Sequence, residues 1–359
     1  MLTGNKGEWS EIYVLFKLLG DSVLNIGDEN ENIIANAFYP IIKILRTESN
    51  GNFEYSINDE IVIISHDQEI GRLPISEFKE KAQILLKKIK SSPETTFSVP
   101  EIEEFMSTIN CISLKANSSA KTDIKIIIHD SHTNQKPLLG FSIKSQLGNP
   151  STLLNAGRTT NFIYKINLPN QEAIDLSSIN SIDTKSKIKD RIDILVKYGA
   201  VFSFIATEQK IFSNNLTLID SKLPDILGAV VFDFYTSNRS TTLNLTENIE
   251  TQNPLNFDNT NNHQFYSYKI KRFLTDIALG MMPSKVWTGE YDATGGYLVV
   301  KENGDVLCYH IYNKNRFEDY LLNNTKLETA SSSRHDFGKI FIENGNLFFK
   351  LNLQIRFIK

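Results

Sequence analysis

Cysteine is nearly absent from this chain: its 359 residues hold only two. Cys111 and Cys308 are far apart and outside any C-x-x-C pair, which excludes a disulfide framework and argues against a structural zinc site. Histidine is sparse as well, six in all, and none forms an H-x-x-x-H or H-E-x-x-H pair. A histidine-based metal centre is therefore not expected. No G-x-S-x-G and no G-x-x-x-x-G-K-[ST] occurs, so a serine hydrolase or a nucleotide-driven motor lacks its usual signature. Lys6, Glu8, Glu11 and Lys17 break up the start of the chain. A signal peptide or membrane span is not expected there, and a soluble, cytoplasmic protein is. Internal repeats and low-complexity tracts are also missing.

One local absence matters more. From Ser131 through Gln171 there is no Asp or Glu, while Lys136, Lys144, Arg158 and Lys165 all fall inside. At the chain's average acid frequency such a window would hold about five, and a polyanion favours it empty. The net charge of −4 does not oppose this reading, because phosphate contacts need a positive patch rather than a positive protein.

What is present is ordinary globular material, 41% hydrophobic and 22% charged, enough to bury a substantial core in one large domain or two. Within it the stretch from Thr122 to Gln146 stands out. Asp123 opens the β-branched run Ile124, Ile126, Ile127 and Ile128, a polar turn follows, and Ser142, Lys144 and Gln146 recur at spacing two. If these strands pair as a hairpin, Ser142, Lys144 and Gln146 share one face and Phe141, Ile143 and Ser145 the other. A carboxylate and an ammonium then meet over one point. That pairing suits metal-dependent phosphodiester hydrolysis, in which a hard cation polarises the phosphate and a lysine orients water or offsets charge. An Asp and a Lys on neighbouring strands also occur in proteins with no such activity.

Taken in order, the chain opens with a helix expected from about Glu8 to Leu19, where Glu8 and Glu11 are surface neighbours. Either is able to turn inward as a metal ligand. A second helical pattern runs from Asn32 to Arg46 with a kink at Pro40. Strands are expected at Phe53 to Ile57 and Glu60 to Ser65, helices at Ser76 to Lys90 and Pro100 to Ile109, then a polar loop from Lys115 to Lys121. After the Asp123 and Lys144 strands, Pro150 and Ser151 start a short helix ended by Gly157, and Phe162 to Ile166 alternate as a strand. Asn155, Arg158, Thr159, Thr160 and Asn161 make a polar, cationic turn suited either to DNA or to an ordinary connection. A helix, the buried strand V-F-S-F-I-A and a helix around Leu223 to Phe234 follow. Thr236 to Asn262 reads as linker or surface loop, and a helix from Gln264 to Leu279 comes next. Asn303-Gly304 and Asn344-Gly345 signal hairpins. In the closing run Asn352, Gln354 and Arg356 alternate against Leu353, Ile355 and Phe357. The expected class is mixed α/β (α+β), with a central mixed sheet flanked by helices and a β-rich C-terminal part. The expected division is 1–235, a loop over 236–262, and 263–359 for recognition.

The strings K-G-E-W-S-E-I-Y, T-D-I-K, L-G-F-S-I-K-S-Q-L-G-N-P-S-T-L-L-N-A, T-N-F-I-Y-K-I, R-H-D-F-G and L-N-L-Q-I-R-F resemble the HpaII family of type II restriction endonucleases over nearly the full length. The resemblance implies a restriction-endonuclease-like PD-(D/E)XK core and Mg²⁺-dependent cleavage of double-stranded DNA at CCGG. It also implies sensitivity to cytosine methylation and a cognate methyltransferase acting on the same site, with the enzyme working as homodimer or monomer. By position it makes Asp123 the metal-binding aspartate and Lys144 the lysine. Ser142 stands where the usual second acid would be. Glu11 is the candidate to supply that carboxylate, with Glu8 its rival, the main-chain carbonyl of Ile143 a third ligand, and Gln146 a support for the metal's water shell. Arg158, Asn161, Lys165, Arg334, Gln354 and Arg356 are the candidate DNA contacts. A structure-specific repair or junction nuclease, and a DNA-binding protein with a degenerate site, are the alternatives.

Overall fold

The computed structural model describes residues 1–116, 121–131, 133–169 and 174–358. The chain begins with β1 (Gly4–Asn5) and α1 (Lys6–Asp21), then runs through β2 (Val23–Gly27), β3 (Ile33–Glu48), β4 (Gly51–Asn58), β5 (Ile61–His66) and β6 (Gln68–Pro74). α2 (Ile75–Ser91), β7 (Thr96–Phe97) and α3 (Pro100–Thr108) lead to β8 (Ile124–Ile128), β9 (Leu138–Ser145) and β10 (Thr152–Leu154). β11 (Asn161–Asn167), α4 (Leu176–Ser181), α5 (Lys187–Lys197) and β12 (Val201–Thr207) precede four helices: α6 (Lys210–Ile219), α7 (Leu223–Thr236), α8 (Thr242–Gln252) and α9 (Phe265–Leu279). The end comprises β13 (Gly296–Val300), β14 (Val306–His310), α10 (Lys314–Asn323), β15 (Thr325–Leu327), α11 (Ser332–His335), β16 (Ile340–Glu343), β17 (Asn346–Asn352) and β18 (Ile355–Phe357).

The central nine-stranded sheet has the order β2-β14-β13-β9-β8-β3-β4-β5-β6, and β2 also pairs with β3. That extra pairing joins β2, β14, β13, β9, β8 and β3 into a barrel-like ring from which β4, β5 and β6 extend. The sheet is mixed, since β13 runs parallel to β9 and β14 parallel to β2 while the remaining pairs are antiparallel. Smaller sheets have the orders β12-β11-β17-β16 and β10-β18-β15.

Alternation along β13 and β14 sets the plan. Leu298, Val300, Val306 and Cys308 belong to the core built on α1, α2 and α3, while Tyr297, Val299, Leu307 and Tyr309 belong to the core built on α5 through α10. Successive side chains of a strand point to opposite faces, so one hairpin, turned at Asn303-Gly304, is buried on both sides and serves two cores. The segment carrying it lies between β9 and β2, inside the central sheet.

Four expectations are corrected. Asn32 to Arg46 forms β3 rather than a kinked helix. Its β-branched content favours a strand, Asn36 sits at φ 60, and Pro40, which has no N–H to give, accepts from His129 N at 2.8 Å. The short helix expected after Pro150 is β10, paired with β18 about two hundred residues later, a partner no local pattern reveals. V-F-S-F-I-A is an edge strand with one open face; Val201 and Ile205 are exposed while Phe202 and Phe204 pack inward. Thr236 to Asn262 is not all loop, because Thr241 caps α8, whose Leu245 and Ile249 are buried at helical spacing. The loop expected over Lys115 to Lys121 lies largely outside the described residues. No helix among the described residues is long and apolar enough to cross a membrane.

Because the β13–β14 hairpin is common to both cores, Leu298→Ala is expected to cost about 2–5 kcal/mol in urea unfolding. Trp9 reports on one core and Trp287 on the other. The two fluorescence transitions should shift together; a shift in only one would show the cores unfolding separately.

Candidate active site

β8 and β9 form the antiparallel hairpin expected from their periodicity, with Ile124 opposite Phe141. Asp123 stands just before β8, fixed by its own N–H, which donates to the Phe141 carbonyl at 2.8 Å. Its Oδ2 accepts from the Ile143 N–H at 2.7 Å and from the Ser142 hydroxyl at 3.1 Å. Lys144 Nζ in turn donates to Ser142 Oγ at 2.9 Å. One hydroxyl therefore links the carboxylate to the ammonium. The Lys144 ammonium also sits 4.9 Å from the centroid of the Tyr297 ring, a cation–π contact whose aromatic partner is buried. Burial pulls the Lys144 pKa down to about 8, Lys121 adds to the depression, and Asp123 and Glu11 oppose it.

The other wall is α1. Asn5 opens the helix with a capping box: its side chain accepts from Glu8 N at 3.1 Å, and its N–H donates to Glu8 Oε2 at 2.8 Å. Glu8 also pairs with Lys115 at 3.3 Å, so its charge is already engaged. Glu11, one turn on, is different. Burial first, and then repulsion from Asp123, raise its pKa to about 8, although Lys115 and Arg46 pull it back. Ser10 Oγ lies 2.7 Å from Ser145 Oγ and donates to the Lys6 carbonyl. This hydroxyl pair fastens α1 to the end of β9, and so sets Glu11 relative to Lys144. Phe141 and Ile143 pack on the α1 side of β9 and Ser142 and Lys144 turn toward Tyr297, as period two requires.

Glu8, Glu11, Asp123, Ile143, Lys144 and Ser151 line one cleft of about 840 Å³. Among the described residues no group of three or more His, Cys, Asp or Glu is placed to hold a metal ion; Glu8 and Glu94 also line the cleft, and Glu11 feels the charge of Asp123.

Other candidates fall elsewhere. Gln146 lies past the end of β9 and donates to both Glu31 carboxylate oxygens, at 2.9 and 2.7 Å, away from the Lys144 cleft. Asn161, expected to read bases, is completely buried; its amide donates to Glu208 and to the His335 carbonyl and accepts from Asn352. Arg356 is half-buried and paired with Glu328 at 2.9 Å and with Thr152. Gln354 and Lys165 are half-buried, and Arg158 and Arg334 are exposed. Reading by sequence passed over Lys121, whose charge acts on Asp123 and Lys144, and the Ser10–Ser145 pair, for which no local signal exists.

The HpaII restriction endonuclease family model matches residues 5–357. A type II restriction enzyme HpaII of Haemophilus parainfluenzae is 49% identical over 360 residues, covering 99% of each chain. No solved structure matches.

The raised Glu11 pKa has a stability consequence in metal-free protein. Between pH 4.5 and about 8 the unfolded chain has lost this proton and the folded chain keeps it, so stability falls as pH rises through that window. Glu11→Gln removes the penalty. In EDTA its melting temperature should exceed that of the unsubstituted protein by ~2–4 °C at pH 8.5, with a smaller gap at pH 5; a gap independent of pH would contradict the burial of this carboxylate.

Proposed function

This chain belongs to the HpaII restriction endonuclease family, and from that premise we propose how it cuts: Mg²⁺-dependent hydrolysis of duplex DNA at CCGG, in a PD-(D/E)XK-type core. It is a type II site-specific deoxyribonuclease. The observation that carries the chemistry is the link of Lys144 to Asp123 through the buried Ser142, with both charges lining a cleft that also holds Glu11.

The donor set fits magnesium. Asp123, Glu11 and the Ile143 carbonyl would offer hard oxygens to the ion, and a divalent cation would offset the repulsion from Asp123 that adds to burial in raising the Glu11 pKa. Magnesium, when bound, lowers the pKa of water and offsets charge on the phosphate. Glu11 supplies from α1 the carboxylate that Ser142 does not supply from β9. The rival, Glu8, is committed to its cap and to Lys115.

Lys144 does the remaining work. Its ammonium, held by Ser142 Oγ and the Tyr297 face, orients the attacking water and stabilises negative charge developing on the scissile phosphate. With its pKa near 8 it gives and takes a proton at neutral pH more readily than an ordinary lysine. Water adds to phosphorus and the 3′-oxygen leaves in line, giving 5′-phosphate and 3′-hydroxyl ends. Cytosine methylation within CCGG, laid down by a cognate methyltransferase, would block this cut on host DNA.

Purified protein should cut unmethylated plasmid into discrete fragments ending at CCGG in Mg²⁺ and leave it intact in EDTA. Lys144→Ala should abolish cleavage while leaving duplex binding nearly unchanged. Ser142→Ala should slow cleavage by about 10- to 100-fold, the scale of losing one positioning or proton-transfer contact. Full activity of Lys144→Ala would sink the assignment.

A further inference from the structure

The backbone beside each of two exposed arginines that lie far apart in sequence is tied to one buried pair of asparagines. Asn161 and Asn352 face each other in register on β11 and β17, and both are inaccessible to solvent. Asn352 Nδ2 donates to Asn161 Oδ1 at 2.7 Å and to the Gly157 carbonyl at 2.8 Å. Asn161 Nδ2 donates to the His335 carbonyl at 2.9 Å and to Glu208 at 2.7 Å. Gly157 immediately precedes Arg158, and His335 immediately follows Arg334. Each arginine is thus one residue from a carbonyl held by the same amide pair. Leu353 N donates to the Thr160 carbonyl and Gly338 N to the Lys350 carbonyl, closing both loops onto β17.

The acids in this hub are consumed inside it, since Glu208 takes Asn161 and Lys350, and Lys350 also reaches Asp336. Arg46, Arg72, Arg239 and Arg356 have carboxylate partners. Among the described residues Arg158 and Arg334 have none, as is also true of Arg191, Arg272 and Arg316; of these five, Arg158 and Arg334 are the two next to the asparagine pair. Two unpaired, exposed guanidiniums, one on the 3-10 turn after Gly157 and one on α11, suit an anion or guanine edges. Distance agrees with this. From Asn352 to Phe357, whose N–H donates to the carbonyl of the cleft residue Ser151, is at most roughly 17 Å of extended chain. A four-base-pair site covers about 14 Å of duplex.

We propose that the loops carrying Arg158 and Arg334 are a single DNA-reading element, registered by the Asn161–Asn352 pair against the cleavage cleft, with Asn161 a positioning residue and not a base contact. The proposal rests on the nuclease reading above and names the part of the surface that recognises the site. It accounts for a full hydrogen-bond set on an asparagine that no base is able to reach.

The test uses the full chain in Ca²⁺, without cleavage. The duplexes carry the sequence at which the unsubstituted protein cuts plasmid, mapped from fragment ends, and the same duplex with one base pair changed. Arg158→Ala and Arg334→Ala should each weaken binding to the site by about 10- to 100-fold and the changed duplex by only a few-fold. Their combination should lose less than the product of the two, as coupled groups do. Asn161→Ala should reduce discrimination between the two duplexes while its melting temperature stays above the assay temperature, and adding Arg158→Ala to it should change little more. If Asn161→Ala does not fold, the surface pair of arginine variants decides. Unchanged discrimination in both arginine variants, or full additivity, overturns the proposal. Failure of the unsubstituted protein to cut any plasmid overturns the nuclease reading itself, a separate result.

Discussion

The structure depends on an arrangement that water would dissolve: a carboxylate and an ammonium held one hydroxyl apart at a buried strand. In bulk solvent such a pair is worth little. At β9 the Ile143 N–H and the Ser142 hydroxyl hold Asp123, and Tyr297 backs Lys144, so each charge keeps fixed protein partners where it meets the solvent of the cleft. The surroundings must then be rigid, because an imperfectly paired buried charge costs several kcal/mol. The rigidity comes from pairing β9 with β8 on one side and with β13 on the other.

That requirement explains why a hairpin near the C-terminus is inserted beside strands from the first half of the chain. β13 gives Lys144 its aromatic partner and at the same time closes two hydrophobic cores. The ring made by β2 pairing with β3 leaves no open edge beside β9. α1 is drawn into the same assembly through its buried face and the Ser10–Ser145 contact. Glu11 is consequently placed by packing on a helix, where Asp123 and Lys144 are placed by sheet register.

Asp123, Ser142 and Lys144 were legible in the sequence because period two is a local rule and the hairpin is local. The same holds for α1, whose apolar face is periodic, and for the Asn-Gly turns. What was not legible depended on distant partners. β10 meets β18, and Asn161 meets Asn352 across 191 residues; a side chain that reads as polar and available is in fact consumed by a strand from the other end of the chain. Pro40 misled for another reason. A proline argues against a helix and against a central strand alike, and only the missing donor, tolerated where Pro40 pairs at the junction of β2 and β8, reconciles it with β3. Gln146 shared the parity of Lys144, but the strand ends at Ser145, and parity stops predicting faces where regular pairing stops.

A serine at the position where the proposed core would carry its second acid has a physical logic of its own. A carboxylate at position 142 would lie beside Asp123 with Lys144 as their common counter-ion, and at that depth two acids sharing one cation would push one carboxyl toward protonation. Moving the second acid to Glu11 puts it across the cleft on a separate element, where repulsion from Asp123 is still felt but is second to burial. The hydroxyl left on β9 is able to donate to Asp123 and accept from Lys144 together, which no carboxylate does. In the proposed site this would leave oxygen donors for a cation beside a fixed lysine, at the cost of tying the affinity for metal to how firmly α1 is fastened to β9.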